Sequence, residues 1–238
     1  MTITTPITTQ IEQAVQAIPG WSPLDQLMAL FTLAYSSTSL EGDILELGSW
    51  CGRSAVALGM ATKKTGRGKV HCIDLFPEMN DWYQNADGTY SFAVILNGKK
   101  YKAYADQTVW AEPFLRDIQP MYKQFGSTLD AFKSAIRANQ LCDFVTPYRM
   151  DLADFSAQAP QNLKLSMAFI DGDHSFEAVS RDIGFIEQFL LRVGWICFDD
   201  SFSSYDGVYQ AIQQHIIGSG RYKNAQQLTR KFFVAQRC

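Results

Sequence analysis

The chain has 238 residues and a net charge of −3, with 47% hydrophobic and 19% charged residues. This composition can bury a sizeable core and excludes dominant disorder, and the slightly acidic balance argues against general nucleic-acid binding. The length fits one α/β domain over residues 1–238 carrying an insertion. No apolar run reaches the ~18 residues of a membrane-spanning helix, so no membrane partner is expected. The first basic residue is Arg53, so the basic flank of a leader peptide is missing too. Five cysteines, an odd number with no C-x-x-C pair, point away from a disulfide framework or structural zinc and toward a cytoplasmic location.

Residues 1–40 read as helical. Thr9-Gln10-Ile11-Glu12 has the capping-box pattern, Pro19-Gly20 stops that helix, and Ser22-Pro23 begins another with Ser as N-cap and Pro at the first position. Leu24, Leu27, Met28, Phe31 and Tyr35 repeat at helical spacing, which suggests a helix covering a sheet edge. Asp43–Leu47 is a short apolar strand followed by the turn Gly48-Ser49-Trp50-Cys51-Gly52. A helix over Ser54–Ala61, a polar turn over Lys63–Gly68 and a strand from Val70 ending at Asp74 complete a βαβ unit with a right-handed crossover.

From Phe76 to Phe125 the βα rhythm is lost, and eleven of fifty residues are aromatic, Trp82, Tyr104 and Trp110 among them. Residues 76–127 read as an insertion that leaves the core near the mouth of the sheet and serves as an acceptor-binding lid. The alternative is a segment packed on itself or on a second subunit in a homodimer. The rhythm returns with a helix from Thr128 to about Gln140 and strands at Phe144–Arg149, Leu165–Ile170 and Trp195–Phe198. Helices are expected at Phe176–Leu191 and Gly207–Ile217, and two β segments at Lys223–Leu228 and Lys231–Ala235.

Two constellations carry chemistry. Glu46, Gly48, Gly52, Ser54 and Asp74 surround the first βα turn, where ligands of open parallel sheets bind. Asp74 lies 22 residues after Gly52, at the place of an acid that accepts from both ribose hydroxyls. A dinucleotide needs glycine where Trp50 and Arg53 stand, and Glu46 would repel a pyrophosphate. A carboxylate there suits a cation, such as the ammonium and sulfonium of S-adenosylmethionine. The second constellation is Asp171-Gly172-Asp173-His174-Ser175 and Asp199-Asp200, at the ends of two consecutive strands. Asp171, Asp199 and Asp200 would repel one another, and a hard cation such as Mg²⁺ would remove the conflict. The competing reading makes Asp173 or Asp200 a helix cap. His174, beside the acids and titrating near neutrality, is a candidate general base.

Residues 44–56, Ile-Leu-Glu-Leu-Gly-Ser-Trp-Cys-Gly-Arg-Ser-Ala-Val, resemble motif I of class I S-adenosylmethionine-dependent methyltransferases, particularly the catechol and caffeoyl-CoA O-methyltransferases. The stretch from Phe169 through Asp171-Gly172-Asp173-His174-Ser175 to Asp199-Asp200 resembles the macrocin O-methyltransferase and cephalosporin-hydroxylase-like branch. The resemblance implies a doubly wound, Rossmann-like α/β fold. Its seven-stranded sheet would run in order 3-2-1-4-5-7-6, with the last strand antiparallel. It places Gly48, Ser49, Trp50 and Gly52 around the cofactor, Glu46 at its methionine end and Ser54 on its carboxylate. Asp74 falls on the ribose, Leu75 beside the adenine and Asp151 on the adenine amine. Asp171 borders both cofactor and metal; with Asp199 and Asp200 it matches the metal ligands. His174 stands where the catechol-type enzymes carry a catalytic lysine, and Asp200 where they carry Asn. The expected activity is Mg²⁺-assisted O-methylation of a small hydroxylated acceptor, a sugar, phenol or natural-product alcohol, with His174 or Asp171 receiving the proton. A nicotinamide oxidoreductase and a non-catalytic cofactor-binding protein are the competing readings.

Overall fold

The computed structural model describes residues 5–102, 108–202 and 206–238. Its centre is a βαβ unit: β1 (Asp43–Leu47), α3 (Arg53–Thr65) and β2 (Val70–Asp74). Strands β6 (Val145–Arg149), β7 (Leu165–Ile170), β8 (Leu190–Phe198), β9 (Tyr222–Gln227) and β10 (Phe233–Arg237) complete a seven-stranded sheet in the order β6-β2-β1-β7-β8-β10-β9. Strand for strand this is the expected 3-2-1-4-5-7-6. The β1, β2, β6, β7 and β8 pairings are parallel, and β10, the last strand, runs antiparallel to β8 and β9.

All six residues of β7 are buried, because it lies between β1 and β8 with helices on both faces. On one face α1 (Ile7–Val15), α2 (Leu24–Ser37), α3 and α6 (Thr128–Ala138) close one apolar core. On the other, α7 (Leu152–Gln158), α8 (Phe176–Ile186) and α9 (Asp206–Ala211) close a second. The wall of α3 is small: Ala55, Ala57, Gly59 and Ala61 let it sit close to the sheet. A Cβ on Gly59 would come within 2.5 Å of Val145 Cγ2.

Several sequence expectations are corrected. The capping box at Thr9–Glu12 does not form, because α1 begins at Ile7 behind Pro6. Ser22 is not the N-cap of α2; Pro23 holds that place without a side-chain bond, and the Ser22 carbonyl is taken by Arg53. Helix α2 packs on α3, β7 and β8, so it covers a face of the sheet rather than an edge. The turn expected from Lys63 is still helix through Thr65 and ends at Gly66 with φ +66°. The helix expected to reach Leu191 ends at Ile186, and Leu190–Leu191 open β8. That apolar run is short enough for either element, and pairing with β7 decides it. Helix α7 was not foreseen.

The insertion carries regular structure of its own. Strands β3 (Trp82–Gln84), β4 (Tyr90–Leu96) and β5 (Lys99–Lys102) form an antiparallel sheet. Asn97 and Gly98, with φ of +51° and +76°, make the two-residue turn between β4 and β5. Helical residues follow as α4 (Ala111–Pro113), a π-turn (Phe114–Ile118) and α5 (Gln119–Phe125). Tyr90 stacks on Phe114 at 3.9 Å, and Trp82 donates to the Tyr122 hydroxyl, which donates to the Pro77 carbonyl. Phe76, Phe114 and Tyr122 belong to the core that also contains α1, α2 and α3. Tyr104 lies outside the described residues.

Candidate active site

Strand register builds the site. Leu47 pairs with Ile73 and Ile170, and Ile170 pairs with Phe198. The next residues, Gly48, Asp74, Asp171 and Asp199, therefore fall in one row beyond the carboxyl ends of the strands. The ladder continues into that row: Gly48 N–H donates to the Ile73 carbonyl, Asp171 N–H to Leu47 and Asp199 N–H to Ile170. Gly48 has φ +86°, and a Cβ there would lie 1.9 Å from the Asp171 carbonyl oxygen. Glycine at this position is what lets the glycine turn and the acidic loop touch.

Glu46 points into the interior with 0% exposure, and neither carboxylate oxygen has a hydrogen-bond partner. Burial pushes its pKa up; the hydroxyls of Ser49 and Ser54 and the thiol of Cys72 lie around it and oppose that rise. The buried Ser49 hydroxyl is orphaned as well. Two adjacent orphaned polar groups under a glycine turn fit a cradle for a polar, cationic ligand. Asp74 has a second task that the sequence did not reveal. Its carboxylate accepts from the backbone N–H groups of Trp50, at 2.8 Å, and Phe76, at 2.5 Å. It thereby holds both flanking loops, whose Trp50 and Phe76 have positive φ. Burial raises its pKa against those backbone bonds.

Arg53, in the place of a third glycine, serves the scaffold. It donates to the carbonyls of Val15, Ile18 and Ser22 and ties the N-terminal segment to the start of α3. Asp151 caps α7 through Asp154 N–H and also accepts from Lys99 Nζ and Tyr101 Oη of β5. Protein donors occupy most of its accepting capacity. Those contacts set the β4–β5 hairpin over the end of β6, where the adenine was expected.

In the acidic loop, His174 Nε2 lies 3.9 Å from Asp171 and 3.6 Å from Asp200. Carboxylate oxygens of Asp171 and Asp200 and a His174 nitrogen come within 4.8 Å of one another, close enough to share a cation. Burial lowers the His174 pKa against the pull of Asp200, Asp199 and Asp173, which favours the neutral ring. Burial, with Asp199 next, drives Asp171 well above the usual carboxylate range. Asp199, the third of the expected aspartates, lies beside both of the others. Asp199 is 2% exposed and pairs with Lys231 at 3.0 Å; Lys231 is also 3.6 Å from Asp200. The three carboxylates are therefore not uncompensated, because the loop between β9 and β10 supplies an ammonium. Nothing in the local sequence Thr-Arg-Lys-Phe-Phe signals that reach. Asp173 does not cap α8; it accepts from Ser175 N–H, and Ser175 is the cap.

A mainly parallel sheet of this order, with an antiparallel last strand and an acid-floored glycine turn at the switch point, is the architecture of class I methyltransferases. The chain belongs to the methyltransferase-domain family, whose sequence pattern matches residues 45–201, more than half of its length. No curated protein matches it by sequence. Its fold is similar to that of the O-methyltransferase NovP, with a TM-score of 0.62 at 14% identity over 92% of this chain and 83% of that one. Calicheamicin methyltransferase CalS11 gives 0.60 at 14% identity, over 99% and 94%. An O-methyltransferase from Bacillus cereus, solved in complex with SAH, gives 0.58 at 17%, over 100% and 94%. Among the described residues no helix is long and apolar enough to cross a membrane.

Proposed function

We propose that the chain transfers a methyl group from S-adenosylmethionine to a hydroxyl oxygen of a small acceptor. The observation that carries this reading is Glu46, a fully buried carboxylate with no partner beneath the glycine turn. It favours a ligand that brings its own positive charge, and it opposes the pyrophosphate of a nicotinamide cofactor. Structural neighbours named as O-methyltransferases, one of them in complex with SAH, support both the cofactor and the oxygen acceptor.

S-adenosylmethionine supplies a methyl group activated by its sulfonium, and a divalent cation such as Mg²⁺ supplies positive charge beside the acceptor oxygen. Glu46 would hold the ammonium and Ser54 the carboxylate of the methionine end. Asp74 would accept from the ribose hydroxyls while keeping its two loop N–H groups. Leu75 would lie beside the adenine, with Asp151 and the β4–β5 hairpin closing that end. Asp171 and Asp200 would provide the oxygen ligands a hard cation prefers, and Asp199 lies beside them on Lys231. His174 Nε2, between those two carboxylates, would take the acceptor proton. The acceptor oxygen forms its bond to the methyl carbon as the carbon–sulfur bond breaks, and orientation with charge stabilisation supplies most of the acceleration.

Calorimetric titration with S-adenosylhomocysteine and, separately, with NAD tests the cofactor. Binding of the first alone is expected; binding of NAD alone overturns the reading. A methyl-transfer screen over hydroxylated sugars, phenols and natural-product alcohols, with and without EDTA, then finds the acceptor and tests the cation.

A further inference from the structure

Gln26 belongs to neither constellation of the sequence. It is 0% exposed, and neither its Oε1 nor its Nε2 has a hydrogen-bond partner. A buried amide left unbonded is costly, and its place in the fold points to what completes it. Helix α2 starts beside the glycine turn, where Trp21 packs on Trp50 at 5.8 Å and Arg53, the first residue of α3, takes the Ser22 carbonyl. It ends at the foot of β7, where the Ser37 and Ser166 hydroxyls meet at 3.4 Å. The helix therefore runs against the strands, with its first turn at the mouth of the sheet.

Gln26, Leu30, Ala34 and Ser37 are buried at helical spacing, so they share the face turned to the sheet. From Ser37 back to Gln26 the helix rises about 16 Å. The strand from Ser166 to Asp171 advances about the same distance. Gln26 thus stands near the level of Asp171. Ile44 of β1 lies in the core that α2 closes, and alternation along the strand turns Glu46 to that same face. The first turn of α2 has no side-chain cap, which favours negative charge beside it.

We propose that Gln26 is a cofactor-binding residue that recognises the amino-acid end of S-adenosylmethionine. That end carries an ammonium and a carboxylate side by side, and one carboxamide offers the complementary acceptor and donor. Oε1 accepts from the ammonium, alongside Glu46, and Nε2 donates to the carboxylate at the uncapped start of α2. The assignment rests on the methyl-transfer reading and adds to it a wall from α2, which the glycine-turn motif does not include.

The test compares two ligands by calorimetry: S-adenosylhomocysteine, and 5′-methylthioadenosine, which has the nucleoside and sulfur but lacks the amino-acid end. Gln26→Met keeps the size of the side chain and removes its polar atoms. It should weaken S-adenosylhomocysteine binding about 10- to 100-fold and leave methylthioadenosine within about twofold. Gln26→Glu keeps an acceptor but repels the carboxylate, so it should also weaken S-adenosylhomocysteine selectively. Thermal unfolding of the free protein supplies the second readout: Gln26→Met should melt at or above the unaltered protein, because no internal bond is lost. A lower midpoint would mean that the amide serves the fold and overturn the proposal. Unchanged affinity for S-adenosylhomocysteine, or an equal loss for both ligands, would overturn it too while leaving the methyl-transfer reading intact. An unaltered protein that binds neither ligand would overturn that reading and this assignment with it.

Discussion

Glu46 sits under the glycine turn at 0% exposure and burial raises its pKa, so ionising it costs the cofactor-free protein stability. Glu46→Gln should therefore stabilise the free protein on the order of 1 kcal/mol at pH 8, by thermal unfolding. The same change should weaken S-adenosylhomocysteine binding about 10- to 100-fold. Opposite signs on stability and affinity are the signature of a ligand-binding acid; a structural acid would lose stability. Asp182 in α8, a residue with no expected ligand role, provides a comparison. It is 4% exposed, and burial raises its pKa from 3.8 to about 7. Since the folded state holds the proton more tightly than the unfolded one, stability from this group is present below pH ~4 and is lost as pH rises toward 7. The rise corresponds to roughly 4 kcal/mol. Asp182→Asn should raise the urea midpoint at pH 8 and leave it nearly unchanged at pH 4.

At the scale of elements, Arg53 joins parts that the sequence lists separately. Its guanidinium fastens the carbonyls of Val15, Ile18 and Ser22 to the first residue of α3. Arg53→Ala strips three carbonyls of a charged donor and should destabilise the protein by about 2–4 kcal/mol. Amide hydrogen exchange would register the loss in α1 and the segment leading to α2; an effect confined to the cofactor turn would instead make Arg53 a ligand residue. The elements themselves were legible to different degrees. Strands β1, β2, β6 and β7 were read within about a residue at each end, because buried parallel strands are short apolar runs bounded by turns. The insertion was not read as a sheet, although Asn97-Gly98 is a strong hairpin signal. Its aromatic density drew attention to ligands, while much of that density fills a core.

At the scale of the molecule, the insertion divides into two parts with different attachments. Residues 111–125 are welded to the main core through Phe114, Ile118, Met121 and Tyr122. The β4–β5 hairpin is anchored at its base, where Tyr90 stacks on Phe114, while its far end meets Asp151 through Lys99 and Tyr101. We propose that the hairpin, not the whole of 76–127, is the lid. Brief trypsin treatment of the free protein should cut first at Lys99, Lys100 or Lys102, and S-adenosylhomocysteine should slow that cut at least about fivefold. Cleavage at the same rate with and without ligand would make the hairpin a fixed module.

The sequence by itself determined the βα order, the glycine turn, Glu46 and Asp74 at neighbouring strand ends, and the acidic loop with His174. Each of these depends on residue type at short spacing, and short spacing is fixed by local geometry and by the alternation of buried and exposed positions. Only the tertiary structure decided that Asp199 belongs to Lys231, that Asp151 belongs to Lys99 and Tyr101, and that Asp74 braces the loops it was expected only to serve. The first two partners lie roughly 30 to 50 residues apart, and the bond from Trp50 to Asp74 spans 24. Whether a carboxylate is left for a ligand or neutralised by a neighbour depends on which chain segments the fold brings within ~4 Å, a distance that sequence spacing does not encode.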